Sequence, residues 1–159
     1  MRLIGLLNKI VIYFFLTSSN LVGNDAFTYV YLLPFDNIQN DSSIDWISVG
    51  LIDMAKQELK DKYGIRLKDK NDLEIVMNDR SLMLKQPIGS RNILILGKYN
   101  RQLDRINVNM QAVDVATWEE LGKSQISESY TKIPALNRAV GRSISEMLQP
   151  FLPIQKQTK

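Results

Sequence analysis

Residues 27–33, FTYVYLL, restrict the fold more than any other segment, because they form an almost unbroken run of aromatic, aliphatic and β-branched side chains. A strand with one face in water alternates apolar and polar residues, whereas such a run is typical of a strand covered on both faces. Pro34 has no backbone N–H to donate to a neighbouring strand, so we expect pairing to stop near it. The segment therefore predicts a central strand of a sheet.

A helix is predicted after the polar stretch that follows this strand. Apolar residues recur every three or four positions between Trp46 and Lys62, which indicates a helix with one buried face. Asp45 is placed to cap it by accepting from its first N–H groups. Gly50 is unfavourable inside a helix, so we expect it to permit a close approach to the sheet.

Two more helices are predicted downstream. Asn71 and Glu74 have the spacing of a capping box, and an apolar stripe then continues as far as Leu84. The last helix contains Pro134, a residue suited to the first helical turn, and stops at Pro150.

Further strands are predicted between and after these helices. Residues 65–69, IRLKD, indicate a short strand, and residues 92–99, NILILGKY, indicate one with an apolar centre. Residues 105–115 alternate strictly, as a strand with one wet face does, and residues 124–130 predict an antiparallel neighbour. The order is β-α-β-α-β-β-(β)-α. We therefore expect an α/β (α+β) fold with a single mixed sheet and helices packed on it.

The wet face of residues 105–115 carries Asn107, Asn109 and Gln111. Its simplest interpretation is a solvated sheet surface. An antiparallel edge with such a face can also accept an extended segment of another protein as an extra strand. Both interpretations stay open.

The amino terminus differs from the rest of the chain. Arg2 and Lys9 accompany an apolar run at residues 10–16, small polar residues follow, and there is no acid before Ser19. This layout is typical of a secretory signal peptide cut near Ser19. An uncleaved membrane anchor is the alternative.

The length of 159 residues suits one domain. Without residues 1–19 the chain has 18 basic and 17 acidic residues, and a balance so close to neutral argues against nucleic-acid binding. We divide the chain into a signal peptide or anchor at residues 1–19, a single domain at residues 27–150 and a polar tail at residues 151–159.

Several segments resemble one known family: YVYLLPFDN, DWISVGLIDMAKQEL, IRLKDKNDLE, NILILGKYNRQLDRINVNMQAVDVAT and the closing amphipathic helix. They are similar to the domain shared by the TolB amino-terminal module and the CsgG-, FlgO- and LpoB-like envelope proteins. The shared motifs are a Pro-Phe-x-Asn corner after a strand, a glycine in the first helix and a glycine in the third strand, here Gly97. The resemblance implies a non-enzymatic domain that acts through protein contacts in the periplasm or at the outer-membrane periphery of a diderm bacterium.

The chain also departs from this family. Thr117 is followed by Trp118, where the family often has Thr-Gly, so the geometry of that turn is in question. The chain has no propeller of the TolB kind after the domain and no cysteine to bear a lipid. The roles of TolB and of the CsgG-type pore are therefore not transferred.

Catalytic motifs are missing from the sequence. The chain has no histidine and no cysteine, which removes the commonest general base and the commonest metal ligands. Neither a glycine-rich phosphate loop nor a Gly-x-Ser-x-Gly motif occurs. We therefore expect no catalytic residues, no metal and no cofactor.

One loop nevertheless concentrates acids, at the expected carboxyl end of the central strand, where α/β proteins often bind ligands. Carboxylates there could bind a divalent cation or do acid–base work, which keeps a small hydrolase as an alternative. The favoured interpretation is structural, because Asp and Asn make turns and caps through local hydrogen bonds. The candidate interaction loop comprises Phe35, Asp36, Asn37, Asp41 and Asp45.

The two tryptophans are assessed separately. Trp46 begins a helix and is expected to cover the sheet edge rather than to contact a ligand. Trp118 lies in a turn and is a candidate exposed contact, with burial as the alternative.

The sequence thus predicts a non-enzymatic interaction or assembly module of the cell envelope. A flagellar or secretion assembly factor at the outer membrane is an alternative within this class. The expected partners are envelope proteins and no nucleic acid, with membrane contact only through an uncleaved amino-terminal segment. A homo-oligomer stays open.

Overall fold

The computed structural model describes residues 26–154 of the chain. Its strands are β1 (Thr28–Leu32), β2 (Asp36–Asn37), β3 (Ile65–Lys68), β4 (Arg91–Gln102), β5 (Arg105–Asp114) and β6 (Glu120–Ser129), and its helices are α1 (Trp46–Leu59), α2 (Lys70–Asn78), α3 (Ser81–Leu84) and α4 (Ile133–Leu148). The predicted signal peptide or anchor, and the end of the predicted tail, lie outside the described residues. No helix in the described part is long and apolar enough to cross a membrane.

The strands form one mixed sheet with the order β3-β1-β4-β5-β6. β1 pairs in parallel with β3 on one side and with β4 on the other, so it is central, as its apolar run predicted. β5 and β6 continue the sheet as an antiparallel meander. The predicted fold, a single mixed sheet with helices packed on it, is confirmed.

The chain returns to the sheet after Pro34, which the sequence did not predict. β1 ends its pairing with β4 at Leu32, and β2 then pairs with the same strand, with Asp36 opposite Lys98. Strand pairing therefore stops at the proline only across residues 33–35. β1 and β2 therefore pair with successive parts of the same strand, β4.

Helices α1 and α4 pack against each other and against one face of the sheet. The large core between them and the sheet accounts for most of the buried apolar surface, which is the main stabilising contribution to the fold. Its fully buried aliphatic residues include Val30, Ile44, Ile47, Leu51, Leu59, Ile93, Ile95, Ile106, Val108, Leu136, Val140, Ile144 and Leu148.

Helix α2 covers the opposite face of the sheet, over β1 and the first part of β4. A smaller core lies there, formed by Tyr31, Leu73, Val76, Leu94 and Val115. β1 is therefore covered on both faces, as predicted. Farther along β4, and over β5 and β6, none of the four described helices covers this second face.

The start and end of α1 differ from the predictions. The helix ends at Leu59 rather than Lys62, and Asp45 has a helical backbone and makes no capping bond with its side chain, so that prediction was wrong. Gly50 does permit a close approach, but to α4 rather than to the sheet, because a Cβ there would lie 2.8 Å from Asn137 Nδ2.

The second predicted helix is divided into α2 and α3. The capping box of α2 is formed by Asp69 and Asp72, two positions earlier than predicted. Asp79 interrupts the stripe, because its carboxylate accepts from the backbone N–H of Ser81 at 3.0 Å and fixes a turn before α3. Local hydrogen bonding thus outweighs the apolar periodicity here.

The meander confirms the alternation of residues 105–115. Its even positions from Ile106 to Ala112 are buried, whereas Asn107, Asn109 and Gln111 are partly exposed. β4 and β6 are longer than predicted, and β4 and β5 are joined by a two-residue turn, Leu103–Asp104.

Candidate functional site

The loop after β1, called the corner below (residues 33–45), is closed by its own contacts. Phe35 is only 3% exposed. A Cβ at Gly97 would overlap the Phe35 ring. The missing side chain at Gly97 on β4 therefore provides the space that this ring occupies. Phe35 therefore belongs to the core, and its predicted place in an interaction loop is corrected.

The amide of Asn37 holds the corner together. Its Nδ2 donates to the backbone oxygen of Asp41 at 2.8 Å and to Asp45 Oδ1 at 2.7 Å. Asp41 Oδ1 in turn accepts from the backbone N–H and the hydroxyl of Ser43, at 3.0 and 2.6 Å. These hydrogen bonds agree with the structural interpretation of the loop, although Asn37 Oδ1 is buried and has no hydrogen-bond partner among the described residues.

Asp41 is poorly suited to act as a general acid. The side-chain and backbone hydrogen bonds from Ser43 lower the pKa of Asp41, whereas a general acid at neutral pH needs a raised pKa. Within residues 26–154 no three acidic side chains are grouped so as to hold a metal ion.

Asp36 is the exception among these residues, because it is exposed and points away from the corner network. It lies on β2 beside Lys98 and borders the second face of the sheet. We call the part of this face that lies on β4, β5 and β6 the open face. The corner thus contributes one carboxylate to a different surface.

Cross-strand pairing in β4, β5 and β6 aligns the side chains of the open face in rows. One row runs Leu96, Gln111, Lys123, and the next runs Lys98, Asn109, Gln125. A shallow depression of about 660 Å³ lies over these rows and is bordered by Asp36 and Glu120. Its lining combines three amides with two lysines, two acids, a serine, a glycine and two apolar residues.

Three polar groups at one border of the depression contact one another. Glu120 accepts from Gln111 Nε2 at 2.7 Å and lies 3.8 Å from Lys123 Nζ. Lys98 and Asp36 make no ion pair within 4.0 Å among the described residues. The latter two charges are therefore available to a partner.

β6 forms an edge of the sheet, since in residues 26–154 it pairs only with β5. The backbone N–H of Tyr130 donates to Asp104 at 2.6 Å where this pairing begins. Residues of an antiparallel strand alternately face the neighbour and face away, so the backbone groups of odd-numbered residues 123–127 face outwards. Arg105 Nη2 donates to the Ser127 oxygen at 2.7 Å and covers that end of the edge.

Trp118 occupies a turn that normally selects glycine. Its φ is +63°, and its side chain is 49% exposed. The turn is fixed by Asp114, whose carboxylate accepts from the N–H groups of Ala116 and Thr117 at 2.8 and 3.1 Å. The turn that Thr117-Trp118 put in question therefore keeps a left-handed residue, with tryptophan in place of glycine.

Trp46 does not cover a sheet edge as predicted. Its side chain is 52% exposed, and its indole N–H donates to the Ser43 oxygen at 3.0 Å beside the corner.

The sequence signalled only part of the open face. The alternation of residues 105–115 identified its central strand, β5. The other strands of the open face contribute Leu96, Lys98 and Gln125, and the exposure of β4 depends on where α2 ends. Polar Gln125 and Ser127 on either side of Ile126 are a weak local signal that could have added Gln125. No such signal exists for Leu96 and Lys98.

No protein-family model and no curated protein matches the chain. The fold is similar to solved structures. TolB from Acinetobacter baumannii aligns over 80% of this chain and 30% of its own, with 16% identity and a TM-score of 0.54. The LpoB C-terminal domain from Escherichia coli aligns over 76% of this chain and 94% of its own, with 11% identity and a TM-score of 0.43. At these identities the likeness shows the fold alone.

Proposed function

We propose that the chain is a non-enzymatic protein-interaction module of the bacterial cell envelope. The observation that supports this most directly is the open face: a polar sheet surface without a covering helix in the described residues, next to an edge strand with outward backbone groups. The likeness in fold to TolB and the amino-terminal sequence agree with a location in the periplasm or at the outer-membrane periphery.

A protein partner suits this surface better than a small molecule does. Small-molecule sites bury most of the ligand's surface in a cleft, whereas this depression is open to solvent along the sheet and carries charges of both signs. The free charges of Asp36 and Lys98 provide orientation, and the edge of β6 offers backbone hydrogen bonds to an added strand. A flagellar or secretion assembly factor is one role within this class.

A hydrolase that uses the corner acids is disfavoured. Asp41 and Asp45 are occupied by hydrogen bonds inside the corner, and Asp36 faces a different surface. An envelope hydrolase activity that disappears in Asp41→Asn while the protein stays folded would reverse this conclusion.

Site-specific crosslinking tests the proposal. The chain lacks cysteine, so Gln125→Cys gives a single attachment point for a photoreactive maleimide on the open face. Gln57→Cys, exposed on α1, is the matched control. We expect a discrete adduct in envelope fractions from position 125 only, weakened by the charge reversal Lys98→Glu. Equal adducts from both positions, or none, would reject the open face as the contact surface.

A further inference from the structure

A second surface lies at the end of the sheet where the parallel strands begin. β1 and β4 start there, and the backbone N–H of Arg91 donates to the Phe27 oxygen at 2.9 Å. The chain enters the described structure at the same place, because a Cβ at Gly89 would lie 3.6 Å from the Cβ of Ala26. The β5–β6 turn joins this end through Val115, which donates to the Asn92 oxygen at 2.8 Å.

Large apolar side chains protrude from this end into solvent. Ile88 is 100% exposed, and Leu84 is 88% exposed. Leu84 ends α3 and Ile88 lies in the loop after it; this segment faces the β5–β6 turn across a small cavity of about 300 Å³, which lies between Met83 and Ala116. We call the set Leu84, Ile88 and Trp118 the amino rim.

The form of the amino rim differs from that of a protein-binding hot spot. A hot spot places an apolar side chain in a well-packed pocket of the partner and is surrounded by a ring that excludes water. Here single side chains stand out from the end of α3, the loop after it and the β5–β6 turn, with polar neighbours between them. Isolated protruding apolar groups of this kind enter a soft lipid headgroup region without a complementary partner surface.

Exposed charges of both signs surround the rim. Lys85 and Arg91 are exposed there, and the Arg91 guanidinium lies 5.4 Å from the centre of the Phe151 ring. Asp114 turns its carboxylate to the N–H groups of its own turn. Glu119 and Glu120 after Trp118, and Asp79 near Lys85, are exposed acids. Tryptophan and basic residues are the side chains enriched where proteins meet lipid headgroups.

The sequence that precedes the rim favours the same occupant. Residues 10–16 are an apolar run, and the ten steps from Leu16 to Ala26 span at most about 35 Å when extended. A chain that keeps this run in a bilayer would hold the end that contains Ala26, and hence the amino rim, close to the lipid.

We propose that the amino rim rests on the surface of a lipid bilayer, with Ile88, Leu84 and Trp118 entering the headgroup region. This goes beyond the proposed function, which concerns a protein partner on the open face, and either statement can fail without the other. It also extends the expectation that only the amino-terminal segment contacts membrane.

The two tryptophans provide a matched test, because they are almost equally exposed and lie at opposite ends of the sheet. The full chain is reconstituted into floated vesicles of phosphatidylethanolamine and phosphatidylglycerol with brominated acyl chains. Trp46→Phe leaves Trp118 as the reporter, and Trp118→Phe leaves Trp46. We expect the bromines to quench Trp118 roughly twofold or more strongly than Trp46, because only the rim enters the headgroup region.

Two variants in the Trp46→Phe background separate the rim from general proximity. Leu84→Ser with Ile88→Ser should reduce the quenching of Trp118 to the level of Trp46, whereas Leu103→Ser, at the opposite end, should leave it unchanged. Equal quenching of both tryptophans, no quenching of either, or no response to the double variant would overturn the proposal. Leu84, Ile88 and Leu103 are each at least 88% exposed, so the variants should stay folded.

Discussion

The two ends of the sheet use their residues in opposite ways. At the carboxyl end, the corner gathers acids and amides close together in sequence, and most of them bind one another. At the amino end, the segment that carries Leu84 and Ile88 is distant in sequence from Trp118, yet the fold places it across from the turn of Trp118 and leaves all three side chains exposed. A dense polar motif can thus be a structural device, while a contact surface is assembled from scattered residues.

The largest expected effect concerns the core residue of the corner. Phe35→Ala should lower the free energy of unfolding by about 3–5 kcal/mol, because it opens a cavity beneath Gly97. Urea unfolding followed by circular dichroism measures it. Leu103→Ala, a substitution of an apolar residue that is 91% exposed, is the control and should stay within about 0.5 kcal/mol. A loss below about 1 kcal/mol for Phe35→Ala would mean that the ring is not core.

A smaller loss is expected when the polar network of the corner is broken. Asn37→Asp removes the amide donor and places a second carboxylate beside Asp45, so we expect a loss of about 1–3 kcal/mol. Gln125→Glu makes the same amide-to-acid change on the open face and should be nearly neutral. Equal stability of the two variants in urea would show that the corner is not held by Asn37.

The stability of the fold should decrease at alkaline pH, because a buried tyrosine helps to hold the segment that carries the amino rim. Tyr31 donates to Asn92 Oδ1 at 2.9 Å, and Asn92 donates to Gln86 Oε1 at 2.7 Å, which ties the rim loop to the smaller core. Burial raises the pKa of Tyr31 from 10.0 to about 12. Since the folded protein favours the neutral phenol, this contribution to stability is complete below pH 10 and is lost as the pH rises towards 12.

Tyr31→Phe tests this origin. The variant should lose about 1 kcal/mol at neutral pH, because a hydrogen bond is removed. Its stability should also fall less than that of the wild type as the pH rises from 10 towards 12, because the variant has no phenol at position 31 to ionise. Thermal unfolding across the alkaline range measures both, and an unchanged decline in the variant would assign the sensitivity to other groups.

The smallest effect has the opposite sign. Trp118→Gly removes the strain of a left-handed backbone, which stabilises the fold by roughly 1–2 kcal/mol. It also removes the packing of a half-buried ring and raises the conformational entropy of the unfolded chain, and both effects lower stability. We therefore expect unchanged or slightly raised stability together with lost vesicle contact. A loss above about 1 kcal/mol would mean that Trp118 is retained for packing.

The fold was largely predictable because its signals are local. The apolar run at residues 27–33 required a covered strand, and the alternation at residues 105–115 required one wet face, and both are confirmed. The predictions that failed, such as the cap at Asp45 and the close approach of Gly50 to the sheet, depended on which neighbour a residue meets. That choice is made by tertiary packing.

The candidate surfaces were less predictable for the same reason. Asp36 and Asn37 are adjacent, yet one faces the open face and the other closes the corner. Nothing in the sequence near Leu96 shows that α2 ends before covering it. Exposure at Ile88 and Trp118 likewise depends on the joint position of a loop and a turn. Only the left-handed position of Trp118 had a local signal, the Thr-Trp in place of Thr-Gly.

Maleimide protection in intact envelopes tests the central claim that contacts are made by the open face and the amino rim and not by the corner. Single cysteines are placed at Gln125, Ile88 and Ser42, which represent the open face, the amino rim and the corner. For each variant, the rate of maleimide labelling in the envelope is compared with the rate for the same variant purified and free of detergent. The account predicts slower labelling in the envelope at positions 125 and 88, with position 42 unchanged. Protection at position 42, with positions 125 and 88 freely labelled, would contradict it.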